Sequence, residues 1–302
     1  MNILRAMKSD RLIRAVTGLN KAKFDELTVG FGKIYYSRPP SETNWKGEKR
    51  ERAVGGGADF KLKTDIEKVF FVLFYMKCYP TFDLLGLFFG LDKSNANRCL
   101  HAFLPIVEEV LGQKLMLPKR KISSMAEFTE FFGEIAQFIV DGTERPIQRP
   151  KNAEKQTDNY SGKKKRHTRK FLVGAENRKR ILLLTPSEAG RRHDKTMADD
   201  LEIPDYVPDC IAILGDLAFM GWQNVWENIH LPHKKPIKQE LSKELKEENK
   251  KFSGKRVAIE HAIGGIKRYG CMTQVYRNRK TDFDDKLALV SAGLWNFYNK
   301  AA

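Results

Sequence analysis

Apolar residues recur along this chain at two spacings, and the change from one to the other divides it. Up to about residue 124 the spacing is helical. Leu12, Ile13, Val16 and Leu19 share one face, and Phe24 and Leu27 lie on the next. Residues 1–45 therefore predict one or two short helices followed by loop. Residues 44–60 are polar and contain Gly55-Gly56-Gly57, the composition of a flexible joint. Thr64 is placed to cap a helix through Ile66, Val69, Phe70, Leu73, Phe74 and Met76, and Pro80 marks the following turn.

Residues 81–101 have the organisation of a helix-turn-helix. A first helix ends at Gly90, Leu91 tucks under the turn, and Lys93 or Ser94 starts a second helix presenting Lys93, Asn95, Asn97 and Arg98. Amide and guanidinium groups near the start of such a helix are what reads a major groove. An ordinary αα-hairpin with polar residues facing water fits the same pattern. The helical spacing continues from Phe103 to Leu111, with a loop at residues 118–123.

From Met125 the pattern becomes helix, then strand. Residues 126–134 read as helix, and 136–140, 165–174 and 180–185 as strands. A short helix at 195–201, a strand at 210–215 and a short strand at Ile229-His230-Leu231-Pro232 follow. Helices at 239–252, 254–268 and 286–300 close the chain. This order is that of an RNase H-like α/β fold, a mixed sheet flanked by helices, here preceded by an all-α helix-turn-helix region. The predicted division is an N-terminal helical segment and linker at 1–58, a helix-turn-helix DNA-binding region at 59–124 and an RNase H-like catalytic domain at 125–302.

Composition narrows the function. The chain has 302 residues, with 54 Lys and Arg against 38 Asp and Glu, a net charge of +16 and a pI near 9.6. That balance makes a polyanion the expected partner. Residues 145–195 hold 16 Lys or Arg and 5 Asp or Glu, so this stretch alone carries 16 − 5 = +11. Such a run suits either a solvated face or a grip on a nucleic-acid backbone. Cys78, Cys99, Cys210 and Cys271 show no CxxC pairing, which predicts buried reduced thiols and neither a zinc site nor a disulfide framework. The first residues become charged before a signal-peptide core forms, and no apolar run reaches the roughly 20 residues of a membrane span. A cytoplasmic, nucleoid-associated location without membrane contact is expected.

Three carboxylates carry the candidate chemistry. Asp141 follows Phe138-Ile139-Val140, Asp216 follows Ile211-Ala212-Ile213-Leu214-Gly215, and Glu260 sits in a helical run. Each Asp is expected where a buried strand reaches the surface. In an RNase H-like sheet the first and fourth strands are neighbours, so Asp141 and Asp216 can approach while a helix supplies Glu260. Alone, each has a plainer reading, an Asp as turn former or cap and Glu260 as half of a solvated pair with Lys267. Together they would hold Mg²⁺ through hard oxygen ligands. Two ions could activate the attacking oxygen and stabilise the leaving one, with Asp141 bridging both. Without metal, the clustered carboxylates should repel. Glu144 competes as a ligand, although strand alternation places it opposite Asp141.

Asp141-Gly142-Thr143-Glu144-Arg145-Pro146-Ile147-Gln148-Arg149-Pro150, Tyr160-Ser161-Gly162-Lys163-Lys164-Lys165-Arg166-His167-Thr168, Gly215-Asp216-Leu217-Ala218-Phe219-Met220-Gly221 and the block from Arg256 to Lys267 resemble the DDE transposases of bacterial insertion sequences, in the branch related to eukaryotic Harbinger elements. The helical block around residues 79–105 resembles that family's N-terminal helix-turn-helix. The resemblance implies that Asp141, Asp216 and Glu260 are the catalytic and metal-binding acids. It implies two Mg²⁺ ions, with Mn²⁺ as a substitute, acting in hydrolysis at transposon ends and strand transfer into target DNA. Lys93, Asn95, Asn97, Arg98, Lys163, Lys164, Lys165, Arg166, Arg256 and Lys267 are then expected on double-stranded DNA, terminal inverted repeats and target alike, in a homodimer or larger synaptic complex. The last block resembles the related Y-x2-R-x3-E-x6-K pattern at Arg256, Glu260 and Lys267 but has Ser253 in place of the Tyr. Two rivals stand beside this reading: a domesticated or inactive sequence-specific DNA-binding protein of the same fold, and a general RNase H-like nuclease.

Overall fold

The computed structural model describes residues 3–39, 48–49, 60–133, 135–237 and 239–300. Gly55-Gly56-Gly57 and most of the polar stretch around them lie outside the described residues. The chain forms two compact units, Met1–Met116 and Leu117–Ala302.

The first unit is helical: α1 (Ile3–Met7), α2 (Asp10–Thr17), α3 (Lys21–Ser37), α4 (Asp65–Cys78), α5 (Phe82–Phe89) and α6 (Lys93–Gln113). Helix α4 is the centre. Every residue from Lys68 to Met76 is buried, so this helix is enclosed rather than amphipathic. Its start is a capping box in which the Glu67 amide donates to Thr64 Oγ1 (3.2 Å) and the Thr64 amide donates to Glu67 Oε2 (2.8 Å). Phe24 of α3 meets Phe70 of α4 edge-on, and Phe31 meets Phe103 of α6 in the same way.

The α5–α6 turn follows its sequence closely. Gly90 ends α5 at φ 67°, and Asp92 caps α6 by accepting from the Asn95 amide at 2.8 Å. The Leu91 amide donates to Gly86 O (2.9 Å), and a Cβ on Gly86 would stand 2.4 Å from the Leu91 carbonyl. Glycine at 86 is what lets the turn close.

The second unit opens with α7 (Met125–Phe132) and β1 (Gln137–Pro146), then α8 (Ala153–Asn159), β2 (Tyr160–Ser161), β3 (Arg166–Ala175), β4 (Ile181–Leu184) and β5 (Glu188–Ala189). It continues with α9 (Asp194–Asp200), α10 (Ile203–Tyr206), β6 (Ala212–Leu214), β7 (Ile229–His230), α11 (Lys243–Ile266), α12 (Gly270–Thr273) and α13 (Phe283–Asn299). The sheet order runs β3-β1-β6-β7, with β2, β4 and β5 also on β3. The β1–β3 and β3–β4 pairs are antiparallel, while β1–β6 and β6–β7 are parallel. This mixed sheet flanked by helices is the RNase H-like arrangement expected from the strand order, with the first and fourth long strands adjacent.

Strand alternation sorts β1 between two layers. Phe138 and Val140 enter a core with Leu172, Met197, Phe219 and Trp222, while the odd-numbered residues face the α11 side. Two expectations are corrected here. The first strand does not stop at residue 140, because β3 pairs with it as far as Pro146↔Thr168. The helices expected at 239–252 and 254–268 are one, α11, which passes through Gly254 unbroken. One interior glycine costs about 1 kcal/mol, too little to end a helix whose later turns are buried at Ala258, Ile259, Ala262 and Ile266. Among the described residues, no helix is long and apolar enough to cross a membrane.

Candidate active site

The site grows from the point where β1 and β6 part. Their parallel pairing ends at Ile139↔Leu214. Asp141 and Asp216 each lie two residues beyond that last pair, so the two acids occupy matched positions at the mouth of the fork. On its other edge β1 stays paired, with Asp141 opposite Val173. Asp141 is thereby held by a ladder on one side and open on the other.

Asp141 Oδ1 accepts from the Gly142 amide at 2.8 Å, and Oδ2 lies 3.5 Å from Arg256 Nη2 on α11. Burial pushes the Asp141 carboxyl above the usual range. The Arg256 guanidinium opposes that shift, while the negative charges of Asp216 and Asp194 reinforce it. Asp216 Oδ1 accepts from the Ala218 amide at 2.9 Å, capping a single turn at Leu217–Phe219. The plain capping reading and the site reading therefore coexist in this residue.

Asp194 was not legible in the sequence. It begins α9 and forms an ion pair with Lys170 at 2.9 Å. A Cβ on Gly142 would fall 2.6–2.7 Å from the Asp194 carboxylate, so Gly142 makes the approach possible. The available signal was the glycine directly after Asp141. It was masked because Asp194 follows Arg191-Arg192-His193 inside the basic stretch.

Glu260 is exposed on α11, one turn after Arg256. Among the described residues, no three His, Cys, Asp or Glu side chains stand together as a metal-holding group. Asp216 is near enough for its charge to act on Asp141, and Glu260 lies one turn along α11 from the arginine that meets Asp141. The donor chemistry of Asp141 and Asp216 still suits a hard divalent cation, since burial and the neighbouring negative charges disfavour the charged form of Asp141.

The basic residues separate into groups. Lys267 caps the end of α11, and burial lowers its ammonium pKa; Lys164 and Lys163 push the same way, against Glu144 and Asp141. Lys163, Lys164 and Lys267 therefore share one electrostatic neighbourhood with Asp141. Residues 163–166 are exposed and form no ion pair among the described residues. Arg256, expected on DNA, is mostly buried against Asp141 instead. The positive stretch at 145–195 is also not uniformly a binding face. Arg145 is fully buried, 4.2 Å from the Tyr276 ring and donating to the Asp284 carbonyl at 3.2 Å. Arg169 pairs with Asp284 (3.7 Å), and Lys170 with Asp194. Arg145 of β1 and Arg169 and Lys170 of β3 are thus engaged within the fold itself.

In the first unit, Lys93, Asn95 and Arg98 are exposed at the start of α6 and Asn97 is half-buried. Arg98 donates to Asn95 at 2.8 Å, and Lys93 reaches Asp83 at 3.3 Å. The four cysteines are free, but Cys210 is exposed, which corrects the expectation of uniformly buried thiols.

Comparison with known proteins places this geometry. The family described as DDE superfamily endonuclease matches residues 140–296, and the helix-turn-helix of DDE superfamily endonuclease matches residues 61–113. A probable transposase for insertion sequence element IS702 of Microchaete diplosiphon is 26% identical over 231 residues, covering 76% of this chain and 79% of that protein. No solved structure matches.

Proposed function

The chain belongs to the DDE superfamily endonucleases, and from that premise we propose that it is a DNA transposase that binds the terminal inverted repeats of its insertion sequence and both cuts and joins strands there. The observation that carries this reading is the fork between β1 and β6, with Asp141 and Asp216 at matched positions and Lys163, Lys164 and Lys267 within electrostatic reach of Asp141. The similarity to a probable transposase along most of both chains supports it.

In this reading Asp141 and Asp216 hold two Mg²⁺ ions, or Mn²⁺ in their place, and Glu260 joins them in the DNA-bound assembly. Bound there, the ions supply Lewis acidity at the attacking and leaving oxygens. The chain's own groups do the rest. Arg256 balances the buried charge of Asp141. Lys267 and residues 163–166 hold backbone phosphates near the acids, and the start of α6, with Lys93, Asn95, Asn97 and Arg98, reads the repeat. Joining two ends calls for a homodimer or larger synaptic complex, working at the nucleoid of the cytoplasm.

The rival is a silent DNA-binding protein of the same fold, which would keep the helix-turn-helix and the basic residues and lack the chemistry. Cleavage separates the two. Purified protein with labelled DNA carrying the element's own repeats should cut at the repeat ends with Mg²⁺ and not with EDTA. Asp141→Ala, Asp216→Ala and Glu260→Ala should each fall to background while still shifting the DNA. Salt-sensitive binding without cutting in any divalent metal would establish the rival.

A further inference from the structure

Beside the acid pair lies a groove of about 590 Å³ that the cutting site does not use. One wall is the turn after β6, with Leu217 and Met220; the other is the first half of α11, with Lys251, Phe252 and Lys255; Lys234 closes the end. We infer that this groove takes one unstacked nucleotide of the DNA strand next to the scissile phosphate. The inference rests on the endonuclease reading of the acid site and goes beyond it by assigning a second, base-holding site.

Position argues for a segment of the same strand. Leu217 directly follows Asp216, about 3.8 Å along the backbone, and Lys255 directly precedes Arg256, which touches Asp141. Both walls are thus continuous with the two acids. A strand carries a phosphate roughly every 3.4 Å of helix axis, so a phosphate at the fork puts its neighbours at the groove mouth.

The lining argues for a base as well as a phosphate. Leu217 and Met220, one and four residues after Asp216, are each 41% exposed although apolar. With the half-buried Phe252 they form an apolar slot, whereas contact with backbone alone needs only a polar, flat surface. An aromatic ring beside aliphatic walls is what receives an unstacked base. Around the slot, Lys234, Lys251 and Lys255 are exposed and make no ion pair among the described residues. Lys251 and Lys255 lie four apart on one helix, where like charges repel, so an anion is the missing partner. The groove is also set in advance: the His233 amide donates to Asn249 Oδ1 (2.7 Å), Asn249 Nδ2 donates to His233 O (3.0 Å), and the His233 ring meets Glu248 at 2.7 Å. These bonds fasten the loop carrying Lys234 to α11.

A short single strand containing 5-iodouracil, irradiated with the full chain and mapped by mass spectrometry, tests this directly. Cross-links at Phe252 or Met220 that unlabelled strand competes away are expected. They should be lost in Phe252→Leu, which keeps the volume and removes the ring. Replacing Lys234, Lys251 and Lys255 together with Gln should flatten the slope of log affinity against log salt by about 2, three contacts at about 0.7 each. Cross-links confined to other regions, or an unchanged salt slope, would overturn the groove. Metal-dependent cutting of repeat-ended duplex, run alongside, keeps the two readings apart. Cutting without groove cross-links rejects the groove alone. Groove cross-links from a protein that cuts nothing support the groove and reject the transposase.

Discussion

Gly142 has a role that a turn-forming glycine would not have: it lies within β1, and its missing side chain is the space occupied by the Asp194 carboxylate. Gly142→Ala should push Asp194 away and disturb the field at Asp141. The expected result is loss of cleavage in a folded protein destabilised by about 1–3 kcal/mol, checked by urea melts beside cleavage. Thiol chemistry gives a second check at this scale. Burial raises both the Cys99 and the Cys271 thiol pKa to about 11, and Cys78 is shifted upward for the same reason, whereas Cys210 is exposed. Near pH 8 the buried Cys99 and Cys271 and the half-buried Cys78 stay protonated, and only the thiolate reacts. Native protein should therefore release one fast equivalent in a thiol titration, absent in Cys210→Ser, with the other three appearing on unfolding. Asp141 and Asp216 were legible because each ends an apolar run, and a run ending in a charge marks a sheet margin. Asp194 was not, since its closeness to Asp141 arises from a glycine on another element.

At the scale of elements, α11 and the α5–α6 turn invite opposite glycine substitutions. Gly254 sits inside α11 with nothing within 4 Å of an added Cβ. Gly254→Ala should raise stability by about 0.5–1 kcal/mol, seen as a higher urea midpoint at constant slope. Gly86→Ala should do the reverse, because its Cβ meets a backbone carbonyl that cannot swing aside. Loss of repeat binding with cutting of non-specific DNA retained is the expected readout. The turn was readable from Gly90, Leu91 and Asp92 because capping is local chemistry. The run through Gly254 was not, because propensity marks it as a break while Ala258, Ile259, Ala262 and Ile266, buried further along, keep the helix whole. The length of β1 was hidden for a related reason: Asp141 and Glu144 look like strand breakers until β3 supplies the ladder that holds them.

For the whole molecule, a net charge of +16 predicts steep salt dependence of DNA binding, but the total overstates the grip. Buried Arg145 and paired Arg169 and Lys170 release no counterions, whereas residues 163–166 face water. Lys163→Gln with Lys164→Gln should reduce the salt slope on duplex DNA by about 2, at roughly 0.9 per phosphate, and Lys170→Gln should leave the slope unchanged while lowering stability. Charge counting could not separate these groups, because which cations face inward depends on the register of β3 against β1. A single rod has one more effect at this scale. Helix α11 has 24 residues, about 36 Å, and bears Lys251 and Lys255 near its middle, Arg256 against Asp141, Glu260 a turn later and Lys267 at its end. With no break between them, these groups are spokes on one axle. None of them can be re-aimed without the others, so a change that shifts the helix at one of these groups is felt at all of them.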